Sequence, residues 1–266
     1  MSPLQGAVVA VTGASAGIGR ETALAFARQG AKLAVCARRL DRLEALAEAV
    51  QAVGSECLVM AVDVGEQEQV RRFVEGAVAR FGRLDVLVNN AGYGVRGRVE
   101  ETPADAYERL MRVNYLGTVF GCQVAVPIMR RQGRGVIINV SSIVGHRAMP
   151  GGAAYGATKA AQIGLTEALR VELRGSGVHV SSVHPIGTET EFAAVATRES
   201  GGAAGGPIGP QQSARDVARA IVRCAQRPRP EVYPYALSRA WVWANALWPS
   251  LVDRLAARMS SKAGRV

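Results

Sequence analysis

The chain has 266 residues, 48% of them apolar, with 30 glycines, few aromatics and a formal net charge of +10. That length and composition exclude a disordered or fibrous chain and allow one large α/β domain or two small ones. The positive surplus concentrates in residues 211–266, with ten Lys/Arg against three Asp/Glu; a solvated, arginine-rich face explains it, and nothing in the sequence matches a nucleic-acid-binding module.

Further classes drop out on simple counts. The longest candidate membrane segment, residues 240–252, is too short to span a bilayer and is interrupted by Asn245 and Pro249. The first apolar run has no basic leader before it, so no signal peptide is expected. Cys36, Cys57, Cys122 and Cys224 are scattered and read as reduced thiols of a cytoplasmic protein. His146, His179 and His184 do not cluster with them, and no metal site is expected.

Along the chain, short apolar runs occur at 7–12, 32–37, 57–62, 84–89, 135–141 and 178–183. They are nearly continuous in apolar residues, as strands covered on both faces should be. Segments with helical spacing lie between them, for example at 41–53 and 68–81. The repeated βα order predicts an α/β fold, a doubly wound parallel sheet with right-handed crossovers. The rhythm fails after about residue 190. Residues 197–213 carry two Gly-Gly pairs and two prolines, which fits either a flexible substrate lid, at about 193–213, or a plain linker. A helix resumes at 214–226, and a short strand near 231–233 would bring the sheet to about seven strands. Residues 236–266, with Trp241, Trp243 and Trp248, read as an amphipathic helical extension. Packing is its expected role, with oligomer contacts or a membrane surface as alternatives.

The turn after the first strand holds Gly13, Gly17 and Gly19 in the spacing Gly-x-x-x-Gly-x-Gly, and it opens the first helix. Gly13 permits the sharp turn, Gly17 lets backbone approach a pyrophosphate, and Gly19 lets helix and sheet pack closely. The N–H groups at that helix terminus favour phosphate. At the end of the second strand, where NAD binders usually place a carboxylate for the ribose hydroxyls, stand Ala37, Arg38 and Arg39. No acid repels a 2′-phosphate there and two guanidiniums can clamp it, so NADP(H) is expected over NAD(H).

These features are joined by Asn89-Asn90-Ala91-Gly92, Asn114, Ser142 and Tyr155-Gly-Ala-Thr-Lys159. Together, over about residues 6–235, they resemble the short-chain dehydrogenase/reductases in their single-domain form. The resemblance implies a Rossmann-type NADP-binding and catalytic domain over residues 1–235, followed by the helical extension. It implies Tyr155 as the catalytic acid or base, Lys159 as its activator and ribose ligand, and Ser142 as the partner of the substrate carbonyl. Asn114 is implied to bend its helix and hold a proton-relay water. For the cofactor it implies contacts from Gly13, Ser15, Ala16, Gly17, Ile18 and Gly19 in the phosphate turn. It implies the same role for Arg38 and Arg39, for Asp63 and Val64 near the adenine, for Asn90, Ala91 and Gly92, and for Pro185, Thr188 and Thr190 near the nicotinamide. One departure is visible: Pro185 is followed by Ile186 and only then Gly187, where the family commonly has Pro-Gly. The resemblance also implies a homodimer or homotetramer, formed through the helices that hold Asn114 and Tyr155.

The chemistry accounts for the residue types. Reducing a carbonyl needs a hydride, which the cofactor supplies, and a proton, which the protein must supply. A free tyrosine has a pKa of about 10, and a nearby ammonium lowers it by favouring the phenolate. Tyr155 and Lys159 are four apart and share a helix face. Ser142 can hydrogen-bond a developing alkoxide. The expected activity is therefore NADP(H)-dependent hydride transfer between nicotinamide and a small-molecule carbonyl or secondary alcohol. The contrasting reading, motivated by the basic Trp-bearing tail, is a cofactor-binding or membrane-surface protein that does no chemistry.

Overall fold

The computed structural model describes residues 4–200 and 209–262. The two Gly-Gly pairs of the expected lid lie outside the described residues. Strands β1 (Val8–Thr12), β2 (Lys32–Ala37), β3 (Cys57–Ala61), β4 (Val86–Asn89), β5 (Gly135–Val140), β6 (Val178–Val183) and a two-residue edge strand, Glu231–Val232, form one sheet. Its strand order is β3-β2-β1-β4-β5-β6 and then the edge strand, all parallel. The order reverses between β1 and β4, and ligand crevices in doubly wound sheets open at that point, beyond the carboxyl ends of the strands.

Helices α1 (Gly17–Ala27), α2 (Leu40–Gln51), α3 (Gln67–Phe81), α4 (Ala104–Leu110), α5 (Gly117–Gln132) and α6 (Ala153–Glu172) connect the first six strands. The central strands are buried on both faces, which is why their sequences are apolar without alternation. One layer of core, with Phe26, Leu33, Leu43, Leu46 and Ile138, packs α1 and α2 on the sheet. The other, with Phe73, Leu84, Leu87, Met129 and Ile137, packs α3 and α5 on the opposite face.

Beyond β6 the chain forms a small two-stranded parallel sheet from β7 (Gly187–Glu189) and β8 (Gln211–Ser213), with α7 (Phe192–Glu199) between them. The first part of the expected lid is thus helical. Helix α8 (Ala214–Gln226) starts at Ser213, whose hydroxyl accepts from the Asp216 N–H at 3.1 Å, a regular N-cap. We label the edge strand β9. The single tail helix expected from sequence is two: α9 (Ser238–Leu247) and α10 (Pro249–Lys262). Pro249 ends the first by lacking an N–H and suits the first position of the second. Val252 and Ala256 of α10 are buried, and Arg147 pairs with Asp253, so the tail packs on the body. No helix among the described residues is long and apolar enough to cross a membrane.

Gly19 sets the packing of α1 on the β1 turn. A Cβ there would lie 2.3 Å from the Gly13 carbonyl oxygen and 2.5 Å from Asn90 Nδ2. Gly19→Ala is expected to cost about 1–3 kcal/mol by overpacking. Thermal unfolding should show a midpoint roughly 5 °C lower; an unchanged midpoint would mean the turn yields freely.

Candidate active site

The site is built at the carboxyl ends of β1, β4, β5 and β6. Thr12 at the end of β1 accepts from the Asn90 and Ala91 N–H groups at 3.0 and 3.1 Å, and Asn90 Nδ2 donates to the Thr12 carbonyl at 2.9 Å. These bonds tie the glycine turn to the loop after β4. Gly13 and Gly17 have positive φ, 67° and 53°. At Gly17 an added Cβ would meet the Thr190 side chain at 2.9 Å, so the loop after β6 lies directly across the turn.

One cavity of about 1420 Å³ runs from this turn past the end of β2 to Tyr155. Its walls include Gly13, Ser15, Ala16, Gly17, Ile18, Arg38, Arg39, Asp63, Val64, Asn90, Ala91 and Gly92 on one side. Ser142, Tyr155, Lys159, Pro185, Thr188 and Thr190 line the other. Two residues named from sequence, Gly19 and Asn114, stand behind the wall. Gly19 acts through α1 packing.

Asn114 is fully buried in a π-helical turn, Met111–Leu116, that precedes α5. Its amide donates to the Tyr93 carbonyl at 2.9 Å and to Thr158 Oγ1 at 3.0 Å, and its Oδ1 accepts from the Tyr93 N–H at 3.0 Å. It therefore clamps the loop after β4 to α6, which carries Tyr155. Its own carbonyl accepts from Gln162 Nε2 at 2.7 Å, and Gln162 Oε1 accepts from Lys159 Nζ at 2.9 Å. A buried glutamine thus joins Asn114 to Lys159 directly. Sequence reasoning missed Gln162, and a polar residue three positions after a lysine gives no signal.

Lys159 is fixed by a second bond, to the Val140 carbonyl at 2.9 Å, and its Nζ lies 5.6 Å from the centre of the Tyr155 ring. Burial lowers its pKa to about 7. Burial raises that of Tyr155, while the neighbouring Ser142 side chain pulls it down to a smaller extent. This differs from the sequence-based expectation of a lysine-lowered phenol. Both groups lose water in the same apolar site, and each is driven towards its neutral form. Ser142 is held by its own contacts: its hydroxyl donates to the Pro185 carbonyl at 3.3 Å and accepts from the Val144 N–H at 3.3 Å. The Ile143 N–H also bonds the Pro185 carbonyl, at 3.0 Å, so the Pro185-Ile186 loop remains anchored to the Ser142 turn.

Residues of α7 line the cavity beside Tyr155. The Phe192 ring lies 5.2 Å from the Tyr155 ring, and the Arg96 N–H bonds Ser200 at the end of α7 at 2.7 Å. At the end of β2, Arg39 donates to Ser15 at 3.0 Å and to Glu191 at 2.9 Å, and Arg42 also pairs with Glu191. Arg42 and Glu191 were not singled out from sequence; the pair lies 149 residues apart.

The strand order of the sheet reverses beside the glycine turn, and Ser142, Tyr155 and Lys159 line the cavity that opens there, the layout of a nucleotide-binding oxidoreductase fold. The sequence profile of the short chain dehydrogenases matches residues 7–201, and the chain belongs to that family. An uncharacterized oxidoreductase of Staphylococcus saprophyticus is 39% identical over 195 residues, spanning 72% of this chain and 78% of its own. A short-chain dehydrogenase/reductase of Burkholderia phymatum, solved with NAD, superposes with a TM-score of 0.85 at 26% identity, covering 94% of this chain and 96% of that one. An alcohol dehydrogenase of Thermococcus sibiricus, solved with 5-hydroxy-NADP, gives 0.76 at 31% identity over 86% of this chain and 96% of that one.

Proposed function

We propose that the chain is an NADP(H)-dependent oxidoreductase that interconverts a small-molecule carbonyl and a secondary alcohol, with Tyr155 as the acid or base. The observation that carries this reading is the convergence of Ser142, Tyr155 and Lys159 on one cavity that continues to a glycine turn and an arginine pair. The turn suits a dinucleotide because Gly13 and Gly17 hold conformations that side chains disfavour, and Cβ atoms there would collide with Ala91 and Thr190, which pack against the turn. Gly13 to Ile18 would hold the pyrophosphate, Asp63 and Val64 the adenine, Lys159 a ribose, and Thr188 and Thr190 the nicotinamide end. A nicotinamide bound there supplies or accepts hydride. The protein's share is to orient the carbonyl through Ser142, to hold the exchanging proton on Tyr155 Oη, and to keep water out with Phe192.

The preference for NADP(H) rests on Arg38 and Arg39 standing where a carboxylate would bind ribose hydroxyls. Glu191 now holds the Arg39 and Arg42 guanidiniums, and their hydrogen bonds keep its carboxyl below the usual range. A 2′-phosphate would compete with Glu191 for the same donors. Assays of NADPH and NADH oxidation with a panel of ketones and aldehydes test both parts. Exchanging Arg38 and Arg39 together for Ala is expected to lower the NADPH-over-NADH preference by roughly tenfold or more, since a hydrogen bond to a charged group contributes about 1.5–3 kcal/mol. An unchanged preference would refute the cofactor assignment.

The tail supports a catalytic role better than a passive one, because Trp241 and Met259 line the same cavity as Tyr155. A homodimer or homotetramer is supported by small residues exposed on α6, namely Ala157, Ala160 and Gly164. Gly156 instead faces inward against Ala148. A cytoplasmic setting fits the four free thiols, three of them buried.

A further inference from the structure

Folding brings together two histidines and a carboxylate that the sequence holds far apart. His146 follows the Ser142 turn, His184 comes directly after β6, and Glu231 opens β9. One ligand atom from each lies within 4.8 Å of the others. The His184 N–H donates to the Val232 carbonyl at 2.8 Å, which fixes β6 beside β9 at this point. The His146 and His184 ring centres are 4.5 Å apart, and the Tyr233 ring stacks on His184 at 4.9 Å.

A plain hydrogen-bonded cluster explains part of this group. The Tyr233 hydroxyl donates to Glu231 at 3.1 Å and lies 3.2 Å from His146 Nε2, so those two residues are satisfied. His184 is not. It has no exposed surface, and its ring makes only a marginal contact with the Ser142 backbone, with no well-formed hydrogen bond to either nitrogen. A buried imidazole without a well-formed hydrogen bond is costly and uncommon.

We propose that His146, His184 and Glu231 form a binding site for a divalent ion of the zinc type. Two imidazoles and one carboxylate are a ligand set that zinc takes, with bonds of about 2.0–2.2 Å. Such bonds put ligand atoms roughly 3.3 Å apart around a tetrahedral ion, so the group must tighten on binding. His146 and Glu231 are only partly buried and have room to move; His184 is the fixed point. Glu231 and Glu167 both place negative charge near His146, which favours a cation. Arg239 opposes it, with its guanidinium 5.9 Å from the Tyr233 ring centre.

The ion would be structural rather than catalytic. None of the three ligands lines the cavity. It would tie the turn carrying Ser142 to β6 and β9, next to the Pro185 carbonyl that already holds Ser142.

The test uses the full, tag-free chain stripped with a chelator and then titrated with Co²⁺ and Zn²⁺. The expected result is one Co²⁺ per chain, with visible d–d bands and no strong thiolate charge-transfer band. Saturating Zn²⁺ should raise the thermal midpoint. His146→Gln and Glu231→Gln should each weaken binding at least tenfold, and Arg239→Ala should strengthen it. His184→Gln should abolish it, and where that variant does not fold, the two partly exposed ligands carry the test. Binding by thiolate, binding unchanged in both His146→Gln and Glu231→Gln, or no stoichiometric uptake would each overturn the proposal.

Discussion

Tyr155→Phe is expected to lower turnover by about 10²–10⁴, the range contributed by a positioned proton donor or acceptor. The substitution removes one oxygen. The ring keeps its place against Phe192, whose centre lies 5.2 Å away, and its packing on α6 is unchanged. The clamp from Asn114 to Tyr93 and Thr158 does not involve the phenol oxygen, so the loop after β4 should stay in register. Two measurements separate the chemistry from the fold. Steady-state turnover with NADPH and an active carbonyl should fall, and the thermal midpoint and NADPH affinity should hold. A variant that retains a tenth or more of wild-type turnover would move proton transfer to another group, with Ser142 the nearest hydroxyl to examine.

The strands and the glycine turn were legible because their physics is local. A strand buried on both faces must be apolar at every position, and a turn at positive φ selects glycine. Tyr155 and Lys159 were legible because four residues of helix set their shared face. What sequence left hidden depends on contacts between distant segments. Gln162 reads as an ordinary helix polar residue until Lys159 and the Asn114 carbonyl are placed on either side of it. Glu191 carries no sign that it will meet Arg39 and Arg42 from across the cavity. His146, His184 and Glu231 have no motif spacing, and only the pairing of β5, β6 and β9 brings them together. The raised pKa of Tyr155 was missed for a related reason. The sequence shows the ammonium nearby but not how far both groups are withdrawn from water.

Lys159→Met should separate that drying from catalysis. Turnover is expected to fall to a degree comparable with Tyr155→Phe, since the variant loses the only ammonium among the described residues that faces the phenol. Stability should respond differently, and with pH. Below about pH 7 the lysine is charged in both the folded and the unfolded chain, and the folded chain bears the full cost of an ammonium out of water. Between about 7 and the ordinary value of 10.5 the unfolded chain keeps a proton that the folded chain has shed. The unfolded state then binds more protons, so this group makes stability rise with pH across that window. Methionine carries no such proton. Wild type should therefore gain on the variant as pH rises from 7 to 10 in denaturant melts, with little change between pH 5.5 and 6.5. Methionine also leaves the Val140 carbonyl and Gln162 Oε1 without their donor, at about 1–3 kcal/mol each. That cost moves the whole difference curve but not its slope. A flat difference from pH 6 to 10 would mean that Lys159 stays charged in the folded chain, and Tyr155 would then sit beside a permanent cation.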